Sequence, residues 1–263
     1  MATFELEARL DNLLATAQTE TANIDLLAPM AEREECPICL IPLPFDESEI
    51  AFMTCCGKQI CNGCSYKSML TYRNNGVPTE EFKCAHCRRL ISKSNPTKEL
   101  KRLIKKNNAQ AFIQMGIRYA NGEGVFQSNT KALEMFIKSA ELGNAPSYFK
   151  IGQAYKEGIG VEQDESKALD FYEVSAKKGY FFAHKFLADF HGRNGDIHTS
   201  MRHIKVTASA GDQESMAMMM KFYKDKLLSK EELTQILRAH QTSSNELRTN
   251  DRDEACAFYA ERL

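Results

Sequence analysis

The sequence lacks several features that would place the protein in a familiar class. No apolar run approaches the about 20 residues that a membrane-spanning helix needs. The first residues, MATFELEARLDNLL, include early acidic residues and lack the basic-then-apolar order of a secretory leader. We therefore expect no membrane association and a cytoplasmic or nuclear location. Thiols stay reduced there, so that clustered cysteines more often bind metal than form disulfides.

The chain also lacks an excess of charge, with 34 basic and 35 acidic residues. The two signs are nevertheless segregated: residues 1–35 contain eight acidic residues, and residues 88–106 contain eight basic ones. A basic run can bind nucleic acid. No aromatic residues interleave with this run for base stacking, and the sequence therefore favours a solvated helix face over a nucleic-acid site.

A conventional catalytic motif is missing as well. Five of the six histidines lie in the C-terminal half without a paired nucleophile: His184, His191, His198, His203 and His240. We predict no catalytic residue among them, because side chains of this kind are more often surface or core residues of a helical region.

What the sequence does contain is a repeat with a period of 36 residues. Residues 112–144 and 148–180 align with their Gly-x-Gly-Val turns in register. Each unit predicts a helix, the turn, a second helix capped by Ser128 or Asp164, and a glycine stop, which together form an αα-hairpin. A third unit has a shortened turn. A fourth, degenerate unit begins at Met216 and places Ser229 and Glu232 as a capping box.

The repeated signatures are GxxYxxGxGV and KAxxx(F/Y)xxxAxxG, over roughly residues 108–225. They resemble the Sel-one-like repeat family, a relative of the tetratricopeptide repeats. The resemblance implies an α-solenoid whose concave face binds protein segments without a catalytic residue. A tetratricopeptide array is the alternative, which the period and the double-glycine turn disfavour.

Eight of the nine cysteines fall between residues 36 and 87, in four close pairs. The pairs are CPIC (Cys36, Cys39), CC (Cys55, Cys56), CNGC (Cys61, Cys64) and CAHC (Cys84, Cys87). Two sets of four thiolates are what two closed structural zinc sites require. No βαβ pattern supports a thioredoxin-like redox centre. The sequence favours two Zn²⁺ ions, with an iron–sulfur centre as the open alternative.

The order of these pairs resembles an all-cysteine RING finger over residues 36–90. In a RING finger the pairs alternate, so the resemblance implies one site from Cys36, Cys39, Cys61 and Cys64, and a second from Cys55, Cys56, Cys84 and Cys87. Lys58 stands where the family usually has a histidine ligand, and lysine has no lone pair to offer a metal. We expect Cys55 to take that place, if Gly57 turns the chain there; His86 is the alternative.

RING fingers typically act as ubiquitin ligases that hold a conjugating enzyme and its ubiquitin in a reactive geometry. By resemblance, the enzyme would contact Ile38, Met69 or Leu70, and Arg88. Two departures count against activity: Ala85 replaces the usual proline, and the chain has no tryptophan for the binding groove. A non-catalytic, zinc-stabilised adaptor is therefore the alternative function, and a nucleic-acid-associated zinc protein acting through residues 88–106 is the third.

The sequence thus predicts an α-rich multidomain protein, in which a small two-zinc cross-brace RING module precedes an α-solenoid of helix-turn-helix repeats. The expected segments are an N-terminal amphipathic helix and linker (1–35), the RING module (36–91), a basic connector helix (92–107), the solenoid (108–242) and a C-terminal helical tail (243–263). We expect the N-terminal helix to pack loosely on its own chain or to fray. The expected partners are a ubiquitin-conjugating enzyme at the RING module and a protein substrate on the concave face.

Overall fold

The computed structural model describes residues 2–30, 33–46, 49–91 and 95–260. The chain divides into two compact units. The repeat unit consists of Met1–Ala31 and Phe112–Ser243, and the cysteine unit consists of Glu32–Ala111 and Ser244–Leu263. Among the described helices, none combines the length and the apolar character that crossing a membrane requires.

The elements follow one another in a simple order. They are α1 (Ala2–Glu20), β1 (Ile50–Met53), β2 (Lys58–Cys61), α2 (Asn62–Asn74), α3 (Pro96–Ile104), α4 (Ala109–Asn121), α5 (Asn129–Glu141), α6 (Ala145–Glu157), α7 (Glu165–Lys177), α8 (Phe181–Arg193), α9 (Ile197–Ser209), α10 (Gln213–Lys224), α11 (Lys230–Leu247) and α12 (Asn250–Ala260). Helices α4 to α11 form four successive hairpins, and the predicted α-solenoid is confirmed.

Side-chain caps mark the points where the second helices of the repeats begin. The side chains of Ser128 and Asp164 accept hydrogen bonds from the first turns of α5 and α7, as predicted. In the fourth hairpin, the Ser229 amide donates to Glu232 at 3.0 Å, and the Glu232 amide donates to the Ser229 hydroxyl at 3.2 Å. This reciprocal pair is the predicted capping box, and it begins α11.

Glycines set the spacing within the hairpins. A Cβ atom at Gly116 would lie 2.5 Å from the Phe136 ring, and one at Gly152 would lie 2.8 Å from the Tyr172 ring. The two helices of each hairpin therefore approach closely, and each aromatic ring lies on the glycine of its own hairpin. Tyr172 also contacts Phe186 of the next hairpin, with 4.0 Å between the ring centroids. Each ring therefore packs within one repeat and can contact the next.

The N-terminal helix α1 is an integral part of the repeat core. The five apolar residues that give it an amphipathic pattern are all buried there: Leu6, Leu10, Leu13, Leu14 and Ala17. Three ion pairs fix its register on the repeat helices: Arg9–Glu141 at 2.6 Å, Asp11–Lys167 at 2.6 Å and Glu20–Lys178 at 3.0 Å. The expectation of a loose or frayed helix was wrong, because tertiary burial provides the stability that a short isolated helix lacks.

Two buried histidines meet between α8 and α9. The Nδ1 atoms of His184 and His203 lie 3.1 Å apart, and both side chains are almost completely buried. Burial lowers the pKa of His184 to about 4 and, together with the charge that His184 would carry, lowers the pKa of His203 to about 3. Both rings are therefore neutral core residues at neutral pH, as the sequence analysis expected of such histidines.

The cysteine unit has a small apolar core. Strands β1 and β2 pair antiparallel, with Ile50 opposite Cys61. The core cluster joins Leu43 and Ile60 to Cys36 and Cys61. This cluster is small among the described residues of the cysteine-rich segment, and a segment of this size usually needs a metal or a disulfide in addition to its apolar core.

The contacts of Gly116 give a first prediction. Gly116→Ala should lower the stability of the repeat unit by about 1 kcal/mol, because overpacking costs about 1–3 kcal/mol and the helix-propensity gain returns about 1 kcal/mol. Gly192→Ala is the matched control, since its Cβ would meet only the Ser200 side chain, at 3.2 Å. Thermal melting should show a lower melting temperature for Gly116→Ala and an unchanged melting temperature for Gly192→Ala. Equal melting temperatures would contradict the packing argument.

The histidine pair gives a prediction for pH. An unfolded histidine gains a proton near pH 6.5, whereas the folded pair stays neutral down to the lowered pKa values of about 4 and 3. The unfolded state thus binds more protons in this window. Stability should therefore fall on acidification below pH 6.5, by about 2 kcal/mol for each histidine at pH 5. Urea unfolding of the protein at several pH values should show this decrease in stability with falling pH. The decrease should be smaller in a His184→Leu/His203→Leu variant and should persist in a variant with the exposed His198→Gln.

Candidate metal centres

Two of the four cysteine pairs lie in turns of the same backbone conformation. The Leu40 amide donates to the Cys36 carbonyl at 2.9 Å, and the Arg88 amide donates to the Cys84 carbonyl at 3.0 Å. Leu40 and Arg88 both have left-handed backbone angles, with φ of 58° and 62°. We name these turns the first knuckle (residues 36–42) and the second knuckle (residues 84–90).

The other two pairs flank strand β2. Cys61 is the N-cap residue of α2, and its sulfur accepts from the Cys64 amide at 3.5 Å. Cys55 and Cys56 lie in the turn before β2, where the amides of Cys56 and Gly57 both donate to the Met53 carbonyl. Gly57 has φ of 75°, which confirms the turn predicted at this glycine.

The fold brings the eight thiols into two groups of four. One group contains Cys36, Cys39, Cys61 and Cys64, and the other contains Cys55, Cys56, Cys84 and Cys87. Within each group the sulfur atoms all lie within 4.8 Å of one another. The grouping is the alternating one that the RING resemblance implies. His86 is exposed and is not among the described residues that form either group.

The sulfur spacing fits a metal ion. The measured Sγ–Sγ distances include 3.8 Å for Cys39 and Cys61, 4.0 Å for Cys56 and Cys84, and 3.4 Å for Cys55 and Cys87. A disulfide bond would bring two sulfurs to about 2.05 Å. A tetrahedral zinc ion with bonds of about 2.3 Å would separate them by about 3.8 Å. Both groups can therefore hold a metal ion, and their chemistry is compatible with zinc.

The thiols differ in how readily they ionise. Burial opposes ionisation of Cys36, but amide donors from Cys39 and Cys61 outweigh it and lower the pKa of this thiol to about 7. Burial and then the neighbouring sulfurs raise the pKa of Cys55 and of Cys64. Cys55 and Cys64 therefore need a nearby cation in order to ionise beside their neighbouring thiols. Metal binding must release protons, and acid must weaken it.

Two arginines outside the cysteine motifs support these groups. Arg102 of α3 donates to the Cys55 carbonyl at 2.6 Å, beside the second group. Arg252 of α12 donates to the Pro42 carbonyl at 2.9 Å, beside the first group. Sequence reasoning missed both roles. It assigned Arg102 to a basic run, and no local pattern marks Arg252, which lies 210 residues away from Pro42.

The three residues expected to contact a conjugating enzyme lie on different elements of the cysteine unit. Ile38 is in the first knuckle and is 39% exposed. Arg88 is in the second knuckle and is exposed, and Leu70 is a half-buried residue of α2. The predicted contact of these residues with an enzyme stays a prediction.

The repeat unit carries a row of recesses, the first two of which have equivalent linings. The first has a volume of about 350 Å³ and is lined by Ala132, Phe136 and Gln153, among others. The second, of about 170 Å³, is lined by their counterparts 36 residues later: Ala168, Tyr172 and Asp189. A third, of about 450 Å³, contains Ser200, Ile204 and Met218. We name this row the repeat groove.

Charges of both signs line the repeat groove. The first recess has Lys150 and Glu157, and the third has Lys185 and Glu214, which pair at 2.6 Å. A nucleic-acid site would carry mainly basic residues. Mixed charge around apolar recesses is better suited to a polypeptide.

Comparison with known proteins supports the repeats. Residues 109–144 and 145–180 each match the family model of the Sel1 repeat. The predicted Sel-one-like repeats are thereby confirmed over these residues. No RING family match supports the RING prediction for the cysteine-rich segment. No curated protein matches the chain.

Solved structures of repeat proteins are similar to this chain at low identity. A Sel1 repeat protein from Oxalobacter formigenes is 22% identical over 68% of this chain and 72% of that chain, with a TM-score of 0.48. The c5321 protein, a protective antigen of uropathogenic Escherichia coli strains with an SLR fold, is 21% identical over 70% of this chain and 38% of its own, with a TM-score of 0.45.

The composition of the second thiol group gives a prediction for metal content. Cys55→Ser should reduce the bound zinc from two ions to one per chain, because only three thiols of that group remain. His86→Ala should retain both ions, since its side chain is exposed and outside the group. Elemental analysis of the two purified variants checks this. A loss of zinc in His86→Ala with none in Cys55→Ser would reverse the assignment.

Proposed function

We propose that the protein is a zinc-binding RING-type scaffold that acts as a ubiquitin ligase. In this proposal the cysteine unit recruits a ubiquitin-conjugating enzyme, and the repeat groove binds the protein to be modified. The observation that carries the proposal is the alternating grouping of the eight thiols, with α2 starting inside the first group. That arrangement supports a RING-type module more directly than the cysteine spacing does.

The proposed ligase works by positioning. Bound zinc would supply the cross-links that hold the first knuckle against the start of α2 and the second knuckle against the turn before β2. Exposed Ile38 and Arg88 would then face a conjugating enzyme from these knuckles, with Leu70 contributing from α2. The planar guanidinium of Arg88 is suited to hydrogen bonding with both the enzyme and its attached ubiquitin. Holding two partners in a reactive geometry lowers the barrier without any acid, base or nucleophile from this chain.

The repeat groove supports a role in selecting a protein partner. Its recesses recur at equivalent repeat positions, so a polypeptide could place successive side chains in successive recesses. Their mixed charge suits a partner with both acidic and basic side chains. This half of the proposal does not depend on ligase activity, and it would also serve an adaptor.

The non-catalytic adaptor is the second candidate function. Ala85 follows Cys84 where active RING fingers usually have proline, and the chain contains no tryptophan for the enzyme-binding groove. In this alternative the cysteine unit is a rigid binding module. The zinc sites and the repeat groove would be unchanged, and only the transfer of ubiquitin would be lost.

Discharge of ubiquitin from a panel of charged conjugating enzymes separates the two functions. The zinc-loaded protein should accelerate discharge, and Arg88→Ala should remove most of that acceleration. Because Arg88 has φ of 62°, Arg88→Gly should also lose activity while relieving backbone strain. Loss of discharge activity in both variants would therefore show that the Arg88 side chain is required, and not a change in the turn. Arg73→Ala, at an exposed position of α2, is the matched control.

No acceleration by a folded, zinc-loaded sample with any conjugating enzyme would support the adaptor. Equal activity of the native protein and both Arg88 variants would overturn the role given to that side chain.

A further inference from the structure

We propose that Arg252 is a positioning residue for the first thiol group, and that it makes metal retention there depend on the C-terminal helix α12. The inference rests on the proposed metal binding and goes beyond it. It concerns a residue outside the cysteine-rich segment, and it predicts that loss of this residue accelerates metal release from one of the two groups only. It does not depend on ligase activity.

The contacts of Arg252 carry the first step. Its side chain is buried, with the residue only 6% exposed. One terminal nitrogen donates to the carbonyls of Pro42 at 2.9 Å and Ile41 at 3.4 Å, and lies 4.0 Å from the Cys39 sulfur. The other donates to the Leu247 carbonyl at 3.2 Å, at the end of α11. A single guanidinium therefore joins the first knuckle to the C-terminal segment.

The packing of α12 on α2 carries the second step. Gly63 lies between the ligand candidates Cys61 and Cys64, and a Cβ atom there would be 2.9 Å from the Arg252 Cγ and 3.0 Å from its backbone nitrogen. The glycine thus permits α12 to lie directly against the first turn of α2. Lys67 of α2 also pairs with Asp251 at 2.8 Å.

Electrostatics favours a buried arginine beside the first group once metal is bound. Four thiolates around one divalent ion carry a net charge of minus two, which a nearby cation offsets. Arginine can reach two carbonyls and a sulfur from one planar group, whereas lysine offers a single point of contact. Partners of this kind, outside the ligands themselves, typically change metal affinity by about 10- to 100-fold.

The second thiol group provides an internal reference. The Cys55 carbonyl in this group accepts from Arg102 at 2.6 Å and, at a longer 3.5 Å, from Arg89. Arg102 also pairs with Glu99 at 2.8 Å. Among the described contacts of the second group, none involves α12. Loss of Arg252 should therefore weaken the first group alone, and loss of Arg102 should weaken the second alone.

The test follows the two groups separately in the full-length protein. In a cadmium-loaded sample, ¹¹³Cd NMR should resolve one resonance per four-thiol site, assigned through coupling to the cysteine β-protons. Arg252→Ala should shift the first-site resonance and accelerate zinc release to a chelator from that site by about 10- to 100-fold. Arg252→Lys should restore only part of the retention. Arg102→Ala should produce the mirror result at the second site.

Gly63→Ala tests the docking of α12 without altering Arg252 or a ligand candidate. It should accelerate release from the first site in the full chain. If Arg252→Ala and Gly63→Ala each bind two metal ions and release metal from the first site at the native rate, the inference is overturned while the proposed metal binding stands. A native protein that binds no metal would overturn the proposed metal binding first.

Discussion

The cysteine unit depends on one constraint, which is the alternation of thiols between its two groups. Cys55 and Cys56 separate the two halves of the first group along the chain, and Cys61 and Cys64 separate the halves of the second. Each group therefore closes a loop that contains a cysteine pair of the other group, and this couples the folding of the two groups. Metal binding at these groups would supply part of the folding free energy of this unit.

The repeat unit is held together by a different principle. A glycine on one helix receives an aromatic ring from the next, and the arrangement recurs 36 residues later, as Gly116 with Phe136 and Gly152 with Tyr172. Each repeat buries its rings only against itself and its neighbours, so that stability grows along the array. Helix α1 adds to this core by covering an apolar surface of α5 and α7. The two units therefore need no common mechanism of stability.

The features that could be predicted from the sequence are mainly those whose interacting residues lie close together in the chain. Caps such as Ser128 and Asp164, the turn at Gly57 and the 36-residue period involve residues close in sequence, and their residue types identify them. The thiol groups join distant residues, yet cysteine is rare enough for the pattern to be read. The burial of α1, and the hydrogen bonds of Arg102 and Arg252, could not be predicted. They depend on which surfaces meet after folding, and arginine or leucine at such positions is ordinary in any exposed helix.

The two knuckles show which features of the cysteine unit bear on function. Leu40 and Arg88 have nearly the same left-handed backbone, with φ of 58° and 62°, so the strain at Arg88 comes from the knuckle turn and carries no functional information. Glycine would adopt this conformation at the lowest cost. Both positions instead carry long side chains, and Leu40 is 69% exposed. Neither side chain is buried. Under the proposed function, the two knuckle tips and half-exposed Ile38 are the surface that a conjugating enzyme would contact.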